Sequence, residues 1–205
     1  MTTKPSMREF QPPTAPGGMS RRSIPVRRIF WHCTADPEGS GKGPDDIWKT
    51  HVVANGWSHI GYHYLITEDG TIWMCRPVEY VGAGVAGENS DSVHISYVGG
   101  MDKAYVNAKD TRTKAQKASM YALTDWLLSE YDLVDDDIFG HNEFAAKACP
   151  SFDVDKDIAE WRSAEPGDPE PGMPDMGAMG IYLAKLEARV AKLEEHNAAW
   201  KTGEV

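Results

Sequence analysis

The segment GHNEFAAKACPSFD, residues 140 to 153, places a histidine and a cysteine eight positions apart, with a lysine two residues before the cysteine. Imidazole nitrogen and thiolate sulfur are preferred ligands of zinc, and a catalytic zinc site takes three protein ligands and keeps its fourth position for water. A lone cysteine, however, is more often an inert core thiol. Spacing alone therefore makes His141 and Cys149 candidates for a metal site without establishing one.

His32 is a third candidate ligand, because it lies near the end of VRRIFWHCTA, a run rich in β-branched and aromatic residues that predicts a strand. Loop and strand-end positions at the edge of a rigid sheet are where functional side chains commonly lie. Alternation along the strand puts Cys33 on the opposite face and hence in the core. The remaining histidines are interpreted as structural residues: His51, His59, His63, His94 and His196.

The elements that must position these residues follow from turn chemistry and hydrophobic periodicity. GPDDIWKTHVVANG predicts a helix of about three turns, since Pro and Asp favour a helix start and Asn-Gly its end. GYHYLIT and TIWMCRP, joined by the turn EDG, predict a β-hairpin.

The second half of the chain continues this alternation of strands and helices. SVHISYVGG predicts a buried strand, and apolar residues between Thr113 and Tyr131 recur at the spacing of a long helix. DIFGH predicts a short strand that brings His141 to its end, and VDKDIAEW predicts a closing helix turn. The predicted fold class is α/β, with a mixed central β-sheet flanked by helices.

Composition divides the chain into four regions. Residues 1–24 form a basic Pro/Gly-rich arm that is predicted to be disordered, and residues 25–163 form the globular domain. Residues 164–180 are rich in Pro, Gly and acids, which predicts an extended linker. Residues 181–201 predict an amphipathic helix.

The pattern of this last helix fits a short coiled coil. Its a/d positions are Leu183, Leu186, Val190, Leu193, Asn197 and Trp200. Arg189 at a g position and Glu194 at the next e position favour a parallel homo-oligomer. Because so short a seam is marginal alone, a helix that docks on its own domain is the alternative.

Charge and composition narrow the classes of partner. The chain has 205 residues and a formal net charge of −10, yet residues 1–28 carry six Lys/Arg and one Glu. An acidic body argues against nucleic acid as the main ligand, because phosphate binding needs clustered cations. The basic arm is either a solvated tail or a contact for an anionic partner.

Targeting and cysteine content indicate synthesis in a reducing compartment. Three cysteines cannot all pair, so a disulfide framework is not expected. The N-terminus lacks the apolar core of a secretory signal, and the sequence predicts no membrane span.

Four motifs carry a family resemblance. WHCTA, GYHYLI with EDGTIW, GENSDSVHISYVGGMD and GHNEFAAKACPSFD resemble, in this order and at these separations, the zinc-dependent N-acetylmuramoyl-L-alanine amidases of the amidase-2 family. The similarity is strongest to the T7-like phage branch and extends more distantly to peptidoglycan recognition proteins. It covers about residues 26 to 162.

The resemblance implies one catalytic Zn²⁺ at the floor of a cleft, with His32, His141 and Cys149 as its ligands. It also implies catalytic roles for Tyr62, in GYHY, and Lys147. These residue types suit amide hydrolysis: zinc activates water and polarises the carbonyl, a lysine stabilises the oxyanion, and a tyrosine orients water or assists proton transfer. Related amidases usually have a histidine at the position that matches Gly84, so substrate contact or rate can differ here.

The implied function is hydrolysis of the peptidoglycan amide bond between N-acetylmuramic acid and L-alanine by a phage or prophage endolysin. Such an enzyme is made in the bacterial cytoplasm without a signal peptide and reaches the wall after a separate pore-former acts. Two alternatives stay open: a non-catalytic peptidoglycan-binding module, and a cytoplasmic amidase that recycles muropeptides.

Overall fold

The computed structural model describes residues 2–13 and 18–163. Thr2–Trp161 form one compact unit. Met1 and Arg162–Val205 form the other unit. The structure describes only Arg162 and Ser163 of it, the last two residues of a helix. The predicted linker (164–180) and amphipathic helix (181–201) lie outside the described residues.

A six-stranded sheet forms the centre of the larger unit. The strands in chain order are β1 (Arg8–Glu9), β2 (Arg28–Cys33), β3 (Asp36–Pro37), β4 (Tyr64–Ile66), β5 (Ile72–Met74), β6 (Ser92–Tyr97), β7 (Gly100–Met101) and β8 (Ile138–Gly140). The main sheet has the order β1-β5-β4-β6-β2-β8, and β3 pairs with β7 separately. Only the β4–β5 hairpin is antiparallel in the main sheet, so the predicted mixed sheet is confirmed.

Among the described residues, three α-helices flank this sheet, in agreement with the predicted α/β class. They are α1 (Pro44–Trp48), α2 (Lys114–Tyr131) and α3 (Val154–Ser163). The helix predicted in GPDDIWKTHVVANG begins as α1, and Lys49–Ala54 continue it as a π-helical segment. Short 3-10 turns cover Asp135–Asp137 and His141–Glu143. Within the described part of the chain, no helix is both long and apolar enough to cross a membrane.

Helix α2 has strong local signals at both ends. The Thr113 hydroxyl accepts a hydrogen bond from the Gln116 amide at 3.0 Å, and the Gln116 side chain accepts one from the Thr113 amide at 3.0 Å. This reciprocal pair satisfies two amides that a helix start leaves free. The helix ends at Asp132, which adopts the left-handed conformation with φ 58°.

Strand β2 divides its side chains between two faces. Trp31 and Cys33 join the apolar cluster beneath α2 and α3, where Trp31 is fully buried. Phe30 and His32 point to the other face, since side chains alternate along a strand. The prediction that Cys33 lies in the core is thereby confirmed, and His32 is left facing the region of the candidate site.

The N-terminal arm differs from the sequence-based expectation of a disordered segment. Its described residues pair with the edge of the sheet: β1 runs parallel to β5, and the Phe10 amide donates to Met74 at 3.0 Å. Phe10 is buried, and the Arg8 guanidinium lies over the Trp73 ring. An open sheet edge with unpaired backbone groups explains the pairing, because it can accept another strand.

A buried ion-pair cluster joins helix α3 to the rest of the unit. The Arg112 guanidinium, which is fully buried, donates to both carboxylate oxygens of Asp157, at 2.6 and 2.9 Å. It also pairs with Asp110 at 2.9 Å and stacks 3.4 Å from the centre of the Phe152 ring. This cluster fixes the segment that immediately follows Cys149.

We expect Asp157→Ala to lower the free energy of unfolding by about 3 kcal/mol, because removing one partner leaves Arg112 with an incompletely compensated buried charge. Urea denaturation of the metal-free protein measures the change. Lys156→Ala is the matched control: Lys156 is the preceding residue of α3, and its exposed pair with Glu160 is 3.8 Å long, so we expect less than about 0.5 kcal/mol. Equal effects of the two substitutions would contradict the assignment.

Candidate metal centre

Two of the candidate ligands meet because their strands are neighbours. Strand β2 pairs in parallel with β8, with Trp31 opposite Gly140. His32 follows Trp31 within β2, and His141 follows Gly140 directly after the end of β8, so both side chains lie at the same edge of the sheet. Their rings lie 5.0 Å apart, centroid to centroid, in an edge-to-face arrangement.

The third candidate reaches the same edge from the loop after β8. The Cys149 sulfur accepts a hydrogen bond from the Cys33 amide at 3.2 Å and lies 3.6 Å from Nδ1 of His32. Two anchors hold the following residues: the Tyr97 hydroxyl donates to the Pro150 carbonyl at 2.8 Å, and the Ser151 hydroxyl donates to the Gly100 carbonyl at 2.9 Å. The loop is therefore fixed at Cys149 by contacts to β2, β6 and β7.

The three donors form a group that could hold a metal ion. One ligand atom from each of His32, His141 and Cys149 lies within 4.8 Å of the other two. A tetrahedral zinc ion with sulfur at about 2.3 Å and nitrogen at about 2.0 Å holds those two atoms about 3.5 Å apart. The 3.6 Å between the Cys149 sulfur and His32 Nδ1 matches that separation, and two imidazoles with one thiolate are a donor set that zinc favours.

Burial keeps both imidazoles in the state that binds a cation. His32 is 1% exposed and His141 is 8% exposed. Desolvation is the main cause that lowers the pKa of each ring, and the positive charge of Lys147 lowers both further. Both histidines are therefore neutral at pH 7 and offer a free lone pair.

Cys33 and Cys149 share one ionisation. A hydrogen bond with the Cys149 side chain is the main cause that lowers the pKa of Cys33 to about 7, while burial opposes it. Two thiolates in contact would repel each other, so the pair carries a single negative charge near neutral pH. The hydrogen bond with the Cys33 side chain and burial raise the pKa of Cys149, while the Cys33 amide and the charge of Lys147 oppose that rise.

The two predicted catalytic residues both lie beside the cluster. The half-buried Tyr62 ring is 5.3 Å from the His32 ring, centroid to centroid. Burial raises the pKa of Tyr62 above its usual range, and the nearby thiols raise it further, so its hydroxyl stays protonated. Lys147 is exposed, and its charge acts on both histidines of the cluster.

His94, on β6, is interpreted from the sequence as a structural residue, and the structure places it against the cluster. Its Nδ1 lies 3.0 Å from Nε2 of His32. The strand contained the signal: Ser92, His94 and Ser96 alternate with Val93, Ile95 and Tyr97. Polar residues on one face and apolar residues on the other indicate that the polar face borders a site rather than the core.

The other described histidines surround the site without entering the cluster. His51 accepts a hydrogen bond from the Gly61 amide at 3.1 Å, and burial lowers its pKa to about 4. His63 lies 3.0 Å from the Tyr80 carbonyl, and burial lowers its pKa to about 3. His59 packs edge-on against Trp48.

The structure defines a domain of the α/β class in which two histidines at the edge of a mixed sheet and one loop cysteine could hold a metal ion. Residues 22–152 match the family model described as N-acetylmuramoyl-L-alanine amidase. The chain belongs to this family, and the predicted resemblance is confirmed. Amidase activity follows from the membership, whereas the role of each residue does not.

The relatives include phage enzymes and recognition proteins. The endolysin of Escherichia phage T7 is 37% identical over 127 residues, which are 62% of this chain and 81% of that protein. Peptidoglycan-recognition protein SC2 of Drosophila melanogaster is 30% identical over 117 residues, 57% of this chain and 60% of that protein. The solved endolysin amidase LysCS from Clostridium intestinale URNW has a TM-score of 0.66 and 27% identity, covering 79% of this chain and 99% of that one.

Proposed function

We propose that the chain is a zinc-dependent peptidoglycan hydrolase that cleaves the amide bond between N-acetylmuramic acid and L-alanine. The main support for zinc dependence is that one ligand atom from each of His32, His141 and Cys149 lies within 4.8 Å of the other two. Family membership supports the reaction and the substrate.

The three donors would hold the ion. A bound zinc ion supplies a Lewis acid for the carbonyl and lowers the pKa of a water molecule towards 7. The protein keeps the ring nitrogens unprotonated by burial and keeps one charge on the pair of thiols. These are the ligand states that a zinc ion requires.

Lys147 and Tyr62 are the groups proposed to act on the substrate. The exposed ammonium of Lys147 is free to approach the carbonyl oxygen and to donate a charge-assisted hydrogen bond as negative charge develops there. The Tyr62 hydroxyl, protonated at neutral pH, orients the attacking water or assists proton transfer to the departing nitrogen. The substrate amide therefore lies between the metal centre and these two donors.

We further propose that the protein acts as a phage or prophage endolysin. The phage relatives that it resembles carry that name. In this role the protein is made in the bacterial cytoplasm and reaches the wall after a separate pore-former opens the membrane. Intact wall and soluble muropeptides, assayed side by side, distinguish an endolysin from a recycling amidase.

Cys149→Ser should abolish zinc binding and amidase turnover, because the hydroxyl of serine is a far weaker zinc ligand than a thiolate. Metal analysis and the release of new L-alanine amino termini from purified cell walls measure the two effects. Cys75→Ser is the matched control, since Cys75 is buried away from the cluster. A wild-type protein with full zinc occupancy and no release would contradict the amidase proposal and favour a binding module.

Lys147→Met should lower kcat by about 100- to 1,000-fold with zinc content unchanged, because it removes one oxyanion donor and keeps the length of the side chain. Steady-state kinetics on soluble muropeptide measure the change. Lys103→Met, in a surface loop, is the control and should leave kcat unchanged. A Lys147→Met variant that loses its zinc would instead make Lys147 a structural support of the metal centre.

We also propose that residues 181–201 form a helix that links copies of the chain through Leu183, Leu186, Val190 and Leu193, with 164–180 as the linker and 25–163 as the amidase domain. Sedimentation equilibrium of the full chain should then show a mass that rises with concentration. Leu186→Asp should return the chain to a monomer. A concentration-independent monomer would contradict this role and favour a helix that docks on its own domain.

A further inference from the structure

The buried ring of His94 is the centre of a hydrogen-bonded chain that ends on a backbone carbonyl. His94 Nδ1 lies 3.0 Å from His32 Nε2, and His94 Nε2 lies 3.1 Å from the Ser92 hydroxyl. The Ser92 hydroxyl in turn donates to the Glu88 carbonyl at 2.6 Å. His32, His94 and Ser92 are all almost fully buried, so water does not replace any link.

The chain of contacts allows only one arrangement of protons. Ser92 has a single hydroxyl proton, and the Glu88 carbonyl accepts it, so Ser92 can only accept from His94 Nε2–H. A neutral His94 then has a bare Nδ1, which must accept from His32 Nε2–H. His32 is left with its lone pair on Nδ1, the atom that lies 3.6 Å from the Cys149 sulfur.

Packing holds the His94 ring in the orientation that these hydrogen bonds require. The ring stacks between Phe30, at 5.6 Å and 20°, and His63, at 5.6 Å and 10°. A Cβ at Gly84 would lie 2.5 Å from His94 Nδ1, and a Cβ at Gly82 would overlap the same ring. The two glycines therefore leave the space that the imidazole fills.

We propose that His94 is a positioning residue of the metal centre: it selects the His32 tautomer that presents Nδ1 to the ion and fixes the orientation of that ring. The inference rests on the proposed function, since it concerns the same cluster. Nothing in the amidase reaction requires His94 to touch the substrate. Outer-shell partners of this kind typically contribute 10- to 100-fold to metal affinity.

His94→Leu should weaken zinc binding by about 10- to 100-fold, because it removes the acceptor for His32 Nε2–H. Competition with a chromophoric chelator measures the affinity. His94→Asn places an amide oxygen near the position of Nδ1 and should restore affinity to within about threefold of wild type. His59→Leu is the matched control, because it also removes a buried imidazole but one that packs on Trp48 away from the cluster; it should leave zinc affinity unchanged.

Nitrogen-15 spectra of the histidine rings in the wild-type protein test the tautomers without any substitution. The metal-free protein should show His32 and His94 both protonated on Nε2 only. A His32 ring protonated on Nδ1 would overturn the inference, as would a His94→Leu variant that binds zinc like wild type. A wild-type protein with the expected tautomers but no zinc affinity would refute the proposed function, and the role of His94 with it.

The packing part of the inference has its own test. Gly84→Ala should be strongly destabilising in the wild type, since its Cβ meets the His94 ring, and nearly neutral in a His94→Ser background, where that space is free. Urea denaturation of the four proteins in this double-mutant cycle gives the coupling. Additive effects would show that the ring is not held by Gly84 and would overturn this part.

Discussion

The parallel pairing of β2 with β8 is the contact on which the site depends. The ladder puts Trp31 beside Gly140, and the residue that follows each of them in the chain is a histidine. Because parallel strands end at the same edge, residues more than a hundred positions apart in sequence leave the sheet side by side. A slip of one residue would turn one of the two rings to the opposite face. Complete burial of Ile29 and near-complete burial of Ile138, which are paired in this ladder, specify the register.

The third donor needs a different kind of support, since it lies on a loop. Cys149 accepts a hydrogen bond from the Cys33 amide, and three residues further along the chain the Arg112 guanidinium stacks on Phe152. The ion pairs of Arg112 with Asp110 and Asp157 connect the segment before α2 to the first turn of α3, which follows this loop. A buried ion pair contributes little net stability but strongly penalises other arrangements, which suits a loop whose sulfur must remain within a few ångströms of two rings.

The secondary-structure elements that the sequence predicts correctly are those that local chemistry determines. The hairpin around Asp69-Gly70, the long helix from Lys114 and the strand that ends near His32 follow from turn residues, apolar periodicity and alternation, and each is present. The identities of the candidate ligands came from the family resemblance together with ligand chemistry. Pairing of the basic arm with β5 was not predictable, because it depends on an open sheet edge that forms only once the strands assemble.

His94 shows why the partners of a site are harder to predict than its ligands. A histidine in a strand has no local pattern that reveals its hydrogen-bond partner; that partner, His32, lies on a neighbouring strand and is opposite Ser96 rather than His94. Two glycines from a separate loop create the space for the ring. Related amidases usually have a histidine at the position that matches Gly84. In this chain the His94 imidazole, from β6, lies against that position.

Desolvation connects these features to the chemistry. Burial disfavours a protonated imidazole and so favours the state in which His32 and His141 can bind a dication. One thiolate and two neutral rings would leave a bound zinc ion with a net positive charge, which would favour the developing oxyanion of an amide. The second positive charge, on Lys147, is exposed and therefore solvated until a substrate displaces water from it. The fold thus separates a buried donor set, which is rigid and selects the ion, from an exposed cation that is free to follow the substrate.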